Sequence, residues 1–529
     1  MYRFLLCWRY LRTRYIALAS ILSVTLGVAT MIVVNSVMAG FSHEMHVRLH
    51  GILSDIVFES VSSNGIYDSD VVMQEVRDVV GDDLEGITNV VHIPAMLSFK
   101  LRGEWVARHV NLIGIDEGAH ATVSDFGKHL LHPSNREQLS FELQDGGYDT
   151  VDHASGDRVA SRTALQRAGW PSRRERFAAE QAYQRHLQRM HDLDKSEADR
   201  TSEAAEDVPQ DPYAVAPVNP YAADTQPGDD DLLDASTQQH TGVILGISIA
   251  SIRHRAADGQ IGDYFMCLPG DDVNITFPSS GMPPQAVTGS FTIVDFYESK
   301  MSEYDSTFAF VPIRTLQELR GMIDPSTGAA AVTSIQIKLR EGADLHEVCQ
   351  RLRNRFPAHQ HPYRIQTWQE MQGPLLAAVR METVILNILL FLIIAVAGFG
   401  ILATFFMIVV EKTRDIGILK SLGAPGGGVM SIFLSYGLSL GTVGSGVGMM
   451  LGLLFVYFIN EIAAVLEWVT GREVFDPTIY YFQEIPTIVS PFTVCWIVVG
   501  AVLIAVVASI MPALRAARLH PIEALRYEQ

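Results

Sequence analysis

Four long apolar blocks constrain what this chain can fold into more than any other feature. They cover residues 16–38, 384–410, 429–459 and 492–511, and none contains Asp, Glu, Lys or Arg. A hydrocarbon core about 30 Å thick is crossed by about 20 apolar residues in a helix. The sequence therefore predicts a membrane α-helical bundle of four transmembrane helices. The first block is longer than the core of a signal peptide and lacks a small-x-small cleavage site, so we expect it to be an uncleaved helix.

Basic residues beside these blocks predict the orientation, because short cytoplasmic flanks are enriched in Lys and Arg. Residues 1–15, 411–428 and 512–529 carry several basic residues each, whereas residues 460–491 carry one Arg and five acidic residues. We expect residues 1–15, 411–428 and 512–529 to be cytoplasmic and residues 460–491 to form a short external loop. Residues 41–382, between the first two helices, then form a large extracytoplasmic domain.

The long segment at residues 41–382 predicts an α+β domain that is interrupted once. Short alternating runs such as DIVFE (residues 55–59) and VNITF (residues 273–277) are typical of strands, and residues 69–80 are helix-like. Residues 144–239 differ, because residues 142–234 hold 20 Asp and Glu against 10 Lys and Arg. Few apolar side chains offset the chain entropy there, so we predict an acidic, disordered insertion, with residues 172–200 as a candidate charged helix. A partner-binding role for the insertion stays open.

The sequence argues against several classes of function. No G-x-x-x-x-G-K-[ST] motif is present, so the chain is not expected to be an enzyme that hydrolyses ATP, and we predict no cofactor of its own. A net charge of −19 argues against nucleic acid as a partner. No metal-ligand spacing occurs, and a bridge between Cys267 and Cys349 stays open. The spans lack central ionisable residues, which disfavours ion coupling and favours a hydrophobic or amphipathic cargo.

Small residues recur at a spacing of four within two of the apolar blocks. This spacing places small side chains on one helix face and lets a second helix approach closely. The sequence therefore predicts helix packing at Ser23, Gly27, Gly437, Gly441, Gly444, Gly448 and Gly452.

The segment at residues 411–428 combines charged and apolar residues in a pattern typical of a short amphipathic helix. We interpret it as a candidate docking site for a partner that supplies energy, with a plain interfacial loop as the alternative. The candidate residues are Glu411, Lys412, Arg414, Asp415, Ile416, Ile418 and Leu419.

Three stretches resemble one known family. They are RYLRTRYIALASILSVTLGVATMIVVNSVMAGF near the N-terminus, MIVVEKTRDIGILKSLGA after the second block, and MPALRAARLHPIEALRYE near the C-terminus. Together they resemble the permease subunits of lipoprotein-releasing ABC transporters (LolC/LolE type), within the wider MacB/FtsX-like superfamily. The likeness extends along the chain except about residues 144–239.

The resemblance implies a multi-pass protein of the bacterial inner membrane with a MacB-like extracytoplasmic domain. It implies ATP bound by a separate cytoplasmic ABC ATPase docked at residues 411–428, and a second permease copy or a paralogue. It also implies a periplasmic lipoprotein carrier, lipoprotein cargo and contact with membrane lipid. Met282, Pro283 and Pro284 match the position of a carrier-binding hook, although an ordinary turn also explains such a loop.

Three other functions stay open at this stage. They are an FtsX-like mechanotransmission protein that regulates an external cell-wall hydrolase, a MacB-like efflux permease, and a passive anchored scaffold. The cargo and the choice between homodimer and heterodimer are also open.

Overall fold

The computed structural model describes residues 15–52, 54–62, 65–101, 103–152, 161–202, 234–255, 261–470 and 485–520. The chain divides into two compact units. The helical unit comprises residues 1–47, 371–476 and 482–529, and the sheet unit comprises residues 48–370 and 477–481. Residues 1–14, 203–233, 471–484 and 521–529, which belong to the predicted N-terminal segment, insertion, external loop and tail, lie outside the described residues.

The described helices of eight or more residues are numbered in chain order. They are α1 (Tyr15–Ile52), α2 (Ser69–Val80), α3 (Trp170–Ser202), α4 (Ile313–Arg320), α5 (Leu345–Arg355), α6 (Gly373–Glu411), α7 (Thr413–Ser421), α8 (Gly426–Tyr457), α9 (Ile459–Thr470) and α10 (Pro491–Arg518).

The described strands are numbered in the same way. They are β1 (Ile56–Ser60), β2 (Leu84–Leu101), β3 (Glu104–Ile115), β4 (Thr241–Gly246), β5 (Ser251–Arg255), β6 (Ile261–Phe265), β7 (Asp272–Pro278), β8 (Ala286–Tyr297), β9 (Phe308–Pro312), β10 (Ser334–Leu339) and β11 (Tyr363–Thr367).

Four helices, α1, α6, α8 and α10, are long and apolar enough to cross a membrane, and they contain the four blocks predicted from sequence except residues 458 and 459, which follow α8. Each helix extends beyond its predicted block at one end or both. The longest of the four is α6, whose 39 residues correspond to about 58 Å of helix. A hydrocarbon core about 30 Å thick leaves part of such a helix outside it.

The glycines of α8 divide between two neighbouring helices. A Cβ atom added at Gly448 would lie 2.7 Å from the backbone oxygen of Thr25 on α1, and Gly444 and Gly452 also face α1 at close range. A Cβ atom at Gly437 would lie 2.5 Å from Ser509 Oγ on α10. The backbone of α8 therefore approaches two helices more closely than a larger residue would permit.

The same close approach holds at Gly441, but not at every predicted packing position. Gly441 faces Ala505 of α10, and Gly27 faces Ile394 of α6 at 3.3 Å from a Cβ position. Ser23 is exposed, and its hydroxyl donates to the backbone oxygen of Ala19 in its own helix. The predicted packing role of Ser23 is therefore wrong within this chain, because the packed face of α1 passes through its neighbour Val24 instead.

The predicted external loop at residues 460–491 begins as a helix rather than a loop. Helix α9 follows α8 directly, and the side-chain oxygen of Asn460 accepts a hydrogen bond of 2.9 Å from the Ile485 backbone N–H. Alanine and leucine in α9 favour helix, which the acidic composition of the loop obscured.

The sheet unit is an α+β domain built on a nine-stranded mixed sheet with the order β11-β1-β10-β2-β3-β9-β4-β8-β7. Strand β2 has 18 residues, and it also pairs with β7 through residues 96–98. Strands β2, β3, β9, β4, β8 and β7 therefore close into a ring, and β10, β1 and β11 extend the sheet from β2. Most inward side chains belong to one large apolar core. This pairing covers part of the edge of β7, which would otherwise expose unpaired backbone groups, and β11 remains at the other end of the sheet.

The first part of the predicted disordered insertion is folded into this domain. Leu165 and Ala168 are fully buried in the main apolar core, and α3 begins at Trp170 with the buried Ser172 and Arg173. The prediction of disorder is therefore wrong for residues 144–152 and 161–173. The charged helix that the sequence allowed at residues 172–200 lies within α3, whose described side chains beyond residue 177 are exposed.

A buried ionic cluster fastens the insertion to the sheet. Arg162 donates to Glu298 and to Asp263, each at 2.7 Å, and its guanidinium also lies 3.2 Å from Asp152. Arg253 donates to Asp263 at 3.1 Å and also pairs with Asp152. Burial by itself raises the pKa of Asp263, but the charges of Arg162 and Arg253 outweigh it and hold the pKa below its ordinary value.

The two cysteines that the sequence left open for a bridge, Cys267 and Cys349, are free and buried in the sheet unit. Burial raises the pKa of both thiols.

Candidate partner-coupling site

Helix α7 is a short helix that joins α6 to α8. Gly423 ends the segment with a φ of +95°, a left-handed conformation that favours glycine. Pro425 then precedes the first turn of α8. The sequence Gly423-Ala424-Pro425 thus sets a sharp boundary between a short helix and a membrane-length helix.

One face of α7 is covered by the helical unit itself. Thr413, Ile416 and Gly417 are buried, and Ile416 is 3% exposed as a member of the helical unit's apolar core. The Thr413 hydroxyl donates to the backbone oxygen of Val409 at 2.9 Å. Ile416 was predicted as a partner-contact residue, and the structure corrects this assignment because its side chain already has a place inside the chain.

Three exposed aliphatic side chains lie on the opposite side of α7 and at the residue that caps its end, and we call them the apolar patch. Ile418 is 44% exposed, Leu419 is 42% exposed and Leu422 is 81% exposed. Leu422 was not among the predicted contact residues. It stands four positions after Ile418, and this helical spacing was the signal that could have identified it.

Charged groups precede the apolar patch along the chain. The Lys412 ammonium donates to Asp415 Oδ2 at 2.7 Å, and Asp415 is about half exposed. Glu411 and Arg414 are also exposed. The patch is therefore apolar at its centre with charges of both signs at one end, an arrangement common in protein interfaces.

Lys420 lies on the covered side of α7 and reaches the end of α10. Its ammonium donates to the backbone oxygens of Ala517 and Leu519, each at 2.7 Å. The last carbonyls of a helix have no partner within the helix and carry a partial negative charge. A lysine ammonium there supplies both the missing hydrogen-bond donors and a compensating positive charge.

The predicted hook occupies the loop between β7 and β8. Met282 is 79% exposed, and Pro283 and Pro284 are exposed beside it. The base of the loop is closed by a hydrogen bond of 2.8 Å from the Ser279 N–H to the Gln285 oxygen. The Ser280 hydroxyl donates to the Gly321 oxygen at 2.7 Å. The structure therefore presents an apolar tip on an anchored base.

A shallow depression of about 320 Å³ lies beside this loop, with Met96, Phe277 and Pro284 among its lining residues. Within the described part of the chain, no group of three or more His, Cys, Asp or Glu side chains is arranged to hold a metal ion.

Comparison with known proteins assigns a family likeness to the region that contains α7. Residues 387–521 match the family model of the FtsX-like permease C-terminal domain. The lipoprotein-releasing system transmembrane protein LolC of Xylella fastidiosa (strain 9a5c) is 30% identical over 238 residues, which are 45% of this chain and 55% of that protein.

Two further relatives match over comparable lengths. The lipoprotein-releasing system transmembrane protein LolE of Haemophilus influenzae is 26% identical over 292 residues, which are 54% of this chain and 65% of that protein. The macrolide export ATP-binding/permease protein MacB of Bdellovibrio bacteriovorus is 28% identical over 209 residues, which are 38% of this chain and 29% of that protein. The chain thus spans between about half and two thirds of the LolC and LolE relatives. The resemblance to LolC/LolE and FtsX-like permeases that the motifs indicated is confirmed.

Proposed function

We propose that this chain is the permease subunit of an ABC transporter that releases lipoproteins from the outer leaflet of the bacterial inner membrane. The observation that carries the proposal is the apolar patch on α7, within residues 387–521 that match the FtsX-like permease C-terminal domain. Relatives named for lipoprotein release supply the cargo class.

The energy source in this proposal is a separate ATPase on the cytoplasmic side. The chain has no P-loop motif, so any work from ATP must enter through protein contact. The basic residues around α7 favour a cytoplasmic position for it. The ATPase binds ATP, changes shape and moves α7, and the attached membrane helices pass that motion to the sheet unit.

The patch has the size of a small docking site. Burying one aliphatic side chain contributes roughly 1.5–3 kcal/mol. Ile418, Leu419 and Leu422 together therefore offer enough apolar surface to dominate a local contact, while Arg414 and Asp415 contribute orientation. Exposed charges add little affinity because water and salt screen them.

The direct test is a double substitution, Ile418→Asp with Leu419→Asp. We expect strongly reduced co-purification of the ATPase and loss of lipoprotein release, with normal membrane insertion, because both side chains point away from the chain's own core. The matched control is Leu187→Asp with Met190→Asp on α3, which are 44% and 51% exposed. The control should bind the ATPase as the wild type does.

A third variant separates docking from folding. Ile416→Asp places a charge in the apolar core of the helical unit, so it should lower protein stability rather than only ATPase binding. Undiminished ATPase binding and normal release in the correctly inserted Ile418→Asp, Leu419→Asp protein would exclude α7 as the docking element.

The hook is a second part of the same proposal. We place the contact with a periplasmic lipoprotein carrier at Met282, Pro283 and Pro284, supported by the exposed tip and its anchored base. Met282→Asp should reduce photo-crosslinking to the carrier, whereas Met190→Asp, another exposed methionine, should not. Equal crosslinking in both variants would assign the carrier contact elsewhere.

The alternative functions give different sets of bound proteins. Affinity purification of the full chain in mild detergent should recover an ATPase, a second permease chain, a carrier and lipoproteins. Recovery of a cell-wall hydrolase in place of carrier and lipoproteins would favour FtsX-like mechanotransmission. Recovery of an efflux adaptor would favour MacB-like export.

A further inference from the structure

Helix α7 is attached to the helical unit by more than its two covalent neighbours, α6 and α8. Its covered side also bonds to the carboxyl-terminal end of α10, a helix that follows α8 only after about 30 further residues. The Lys420 ammonium contacts two carbonyl groups at the end of α10, those of Ala517 and Leu519, at 2.7 Å each. This pair of bonds is a specific cap and not a general charge attraction.

A second contact supports the first at the start of α8. A Cβ atom added at Gly426 would lie 3.0 Å from the backbone oxygen of Ala517 and 3.9 Å from its Cβ atom. The α7–α8 junction and the end of α10 are therefore in backbone-to-backbone contact. Ala513 and Ala516 of α10 and Ile416 of α7 also belong to one apolar core.

The rest of α10 is packed closely along the bundle. Gly437 and Gly441 of α8 face Ser509 and Ala505 of α10, and Gly398 of α6 faces Ile504 at 2.8 Å from a Cβ position. A displacement of the end of α10 is therefore transmitted along these contacts, because close-packed helices resist local compression.

We propose that Lys420 is a positioning residue that joins α7 to α10, so that the two move as one body when the ATPase moves α7. This inference rests on the proposed function and deepens it. In this arrangement α10 receives the motion directly, and the bonds from Lys420 to Ala517 and Leu519 persist throughout the transport cycle.

The first experiment separates ATP turnover from transport. Lys420→Met keeps most of the side-chain length but removes the ammonium, and Lys420→Arg keeps a cation. We expect Lys420→Met to bind the ATPase and hydrolyse ATP, while lipoproteins released per ATP fall by about tenfold, as the loss of a partly buried cation at a helix C-terminus implies. Lys420→Arg should restore most of the release.

The matched control is Lys128→Met, since Lys128 forms a local ion pair of 2.8 Å with Asp125 in the sheet unit and is not among the docking residues. Its release per ATP should stay close to that of the wild type. Wild-type release per ATP in Lys420→Met would overturn the inference. Failure of the wild-type chain to bind an ATPase would overturn the proposed function, and this inference with it.

The second experiment tests whether the contact persists. A Cβ separation near 3.9 Å suits a disulfide, so Gly426→Cys with Ala517→Cys should form one on oxidation. Cys7 and the exposed Cys495 are replaced by Ala, and the bond is verified by mass spectrometry of the linked peptides. Release should be equal in the oxidised and reduced protein. Release that is lost on oxidation and regained on reduction would show that the two elements separate, contrary to the inference.

Discussion

The helical unit and the sheet unit bury polar groups in opposite ways. Among the described residues, the helical unit buries hydroxyls such as Ser20, Thr25 and Ser509. The sheet unit buries full charges, with Arg162 and Asp152 both nearly inaccessible. A hydroxyl finds a partner in the backbone of its own or a neighbouring helix, whereas a buried ion needs opposite charges from several elements. A helical bundle in lipid therefore tolerates buried hydroxyls, and a domain in water also accommodates buried ions.

The largest expected effect comes from a deletion that includes the folded first part of the insertion. Deleting residues 147–239 removes Asp152, Arg162 and Leu165, so the buried Glu298 would lose its pairing with Arg162, and Asp263 would lose one of its two cations. We expect loss of the folded sheet unit, measured by limited proteolysis of the full chain in detergent. Deleting only residues 203–233, whose composition is acidic and poor in apolar side chains, should leave the protease-resistant sheet unit intact.

The two deletions together test which part of the insertion the sheet unit needs in order to fold. A protease-resistant sheet unit after deletion of residues 147–239 would show that the ionic cluster is dispensable. Loss of that unit after deletion of residues 203–233 would assign a structural role to the acidic segment itself.

The next effect concerns the cluster alone. Arg162→Met should destabilise the sheet unit by roughly 3–5 kcal/mol, because it removes the cation that pairs with the buried Glu298 and one of the two cations that pair with Asp152 and Asp263. Hydrogen exchange of β8 in the full-length protein measures this, since core strands exchange only through the larger openings. Arg185→Met on the exposed part of α3, where Arg185 contacts Gln181, is the control and should change exchange little. Equal protection in both variants would contradict the assignment.

These residues also show why the boundary of the disordered insertion was predicted wrongly from the sequence. Arg162, Arg253, Asp263 and Glu298 are far apart in the chain, and their types are those of a solvated surface. Their pairing depends on the tertiary fold, in which the separate two-stranded sheet of β5 and β6 and the residue after β8 meet at Arg162. Composition over a window reports average hydropathy, and it cannot distinguish a paired buried charge from a hydrated one.

The apolar helices could be predicted because their signal is local. Length and absence of charge identified four blocks, and each coincides with a membrane-length helix to within two residues at the end of α8 or lies wholly inside the helix. The four-residue spacing at Gly444, Gly448 and Gly452 indicated a close-packed face. The spacing did not say which helix lies opposite, so it could not separate the contacts of α8 with α1 from those with α10. It also failed at Ser23, which is exposed among the described residues.

The third-largest expected effect comes from alanine substitutions at two glycines of α8, Gly448 and Gly446. Gly448→Ala places a Cβ atom 2.7 Å from the Thr25 backbone oxygen, so the helices must separate, at a cost of roughly 1–3 kcal/mol. At Gly446 nothing lies within 4 Å of the added atom. Gly446→Ala should therefore stabilise α8 by about 0.5–1 kcal/mol through its better helix propensity. Thermal unfolding in detergent should shift in opposite directions, and equal shifts would contradict the close contact.

Buried carboxylates make the sheet unit sensitive to pH in a way that the helical unit's hydroxyls are not. Asp295 is fully buried on β8, and burial raises its pKa to about 6. Hydrogen bonds from Asn135 Nδ2 at 2.7 Å and from the Phe296 N–H at 2.8 Å oppose this rise, as do bonds from the His132 N–H. The folded state therefore binds the Asp295 proton more tightly than the unfolded chain, whose aspartates titrate near pH 3.9.

The smallest expected effect follows from the sign of this difference. Because the folded-state pKa is the higher one, the stabilising contribution of Asp295 is fully present below about pH 4 and is lost as pH rises through about 6. Between pH 5 and pH 7 the sheet unit should lose about 1 kcal/mol of stability through the deprotonation of Asp295.

Asp295→Asn cannot titrate, but it keeps one oxygen to accept a hydrogen bond from Asn135 or Phe296. Its stability, followed by hydrogen exchange of β8 at the two pH values, should therefore fall less than that of the wild type by about this amount. Other carboxylates with raised pKa values, among them Asp305, whose pKa burial raises to about 7, contribute equally to both proteins and cancel in the difference. The same pH dependence in Asp295→Asn and wild type would mean that Asp295 keeps one protonation state between pH 5 and pH 7, and that the sheet unit holds this buried charge as firmly as it holds those around Arg162.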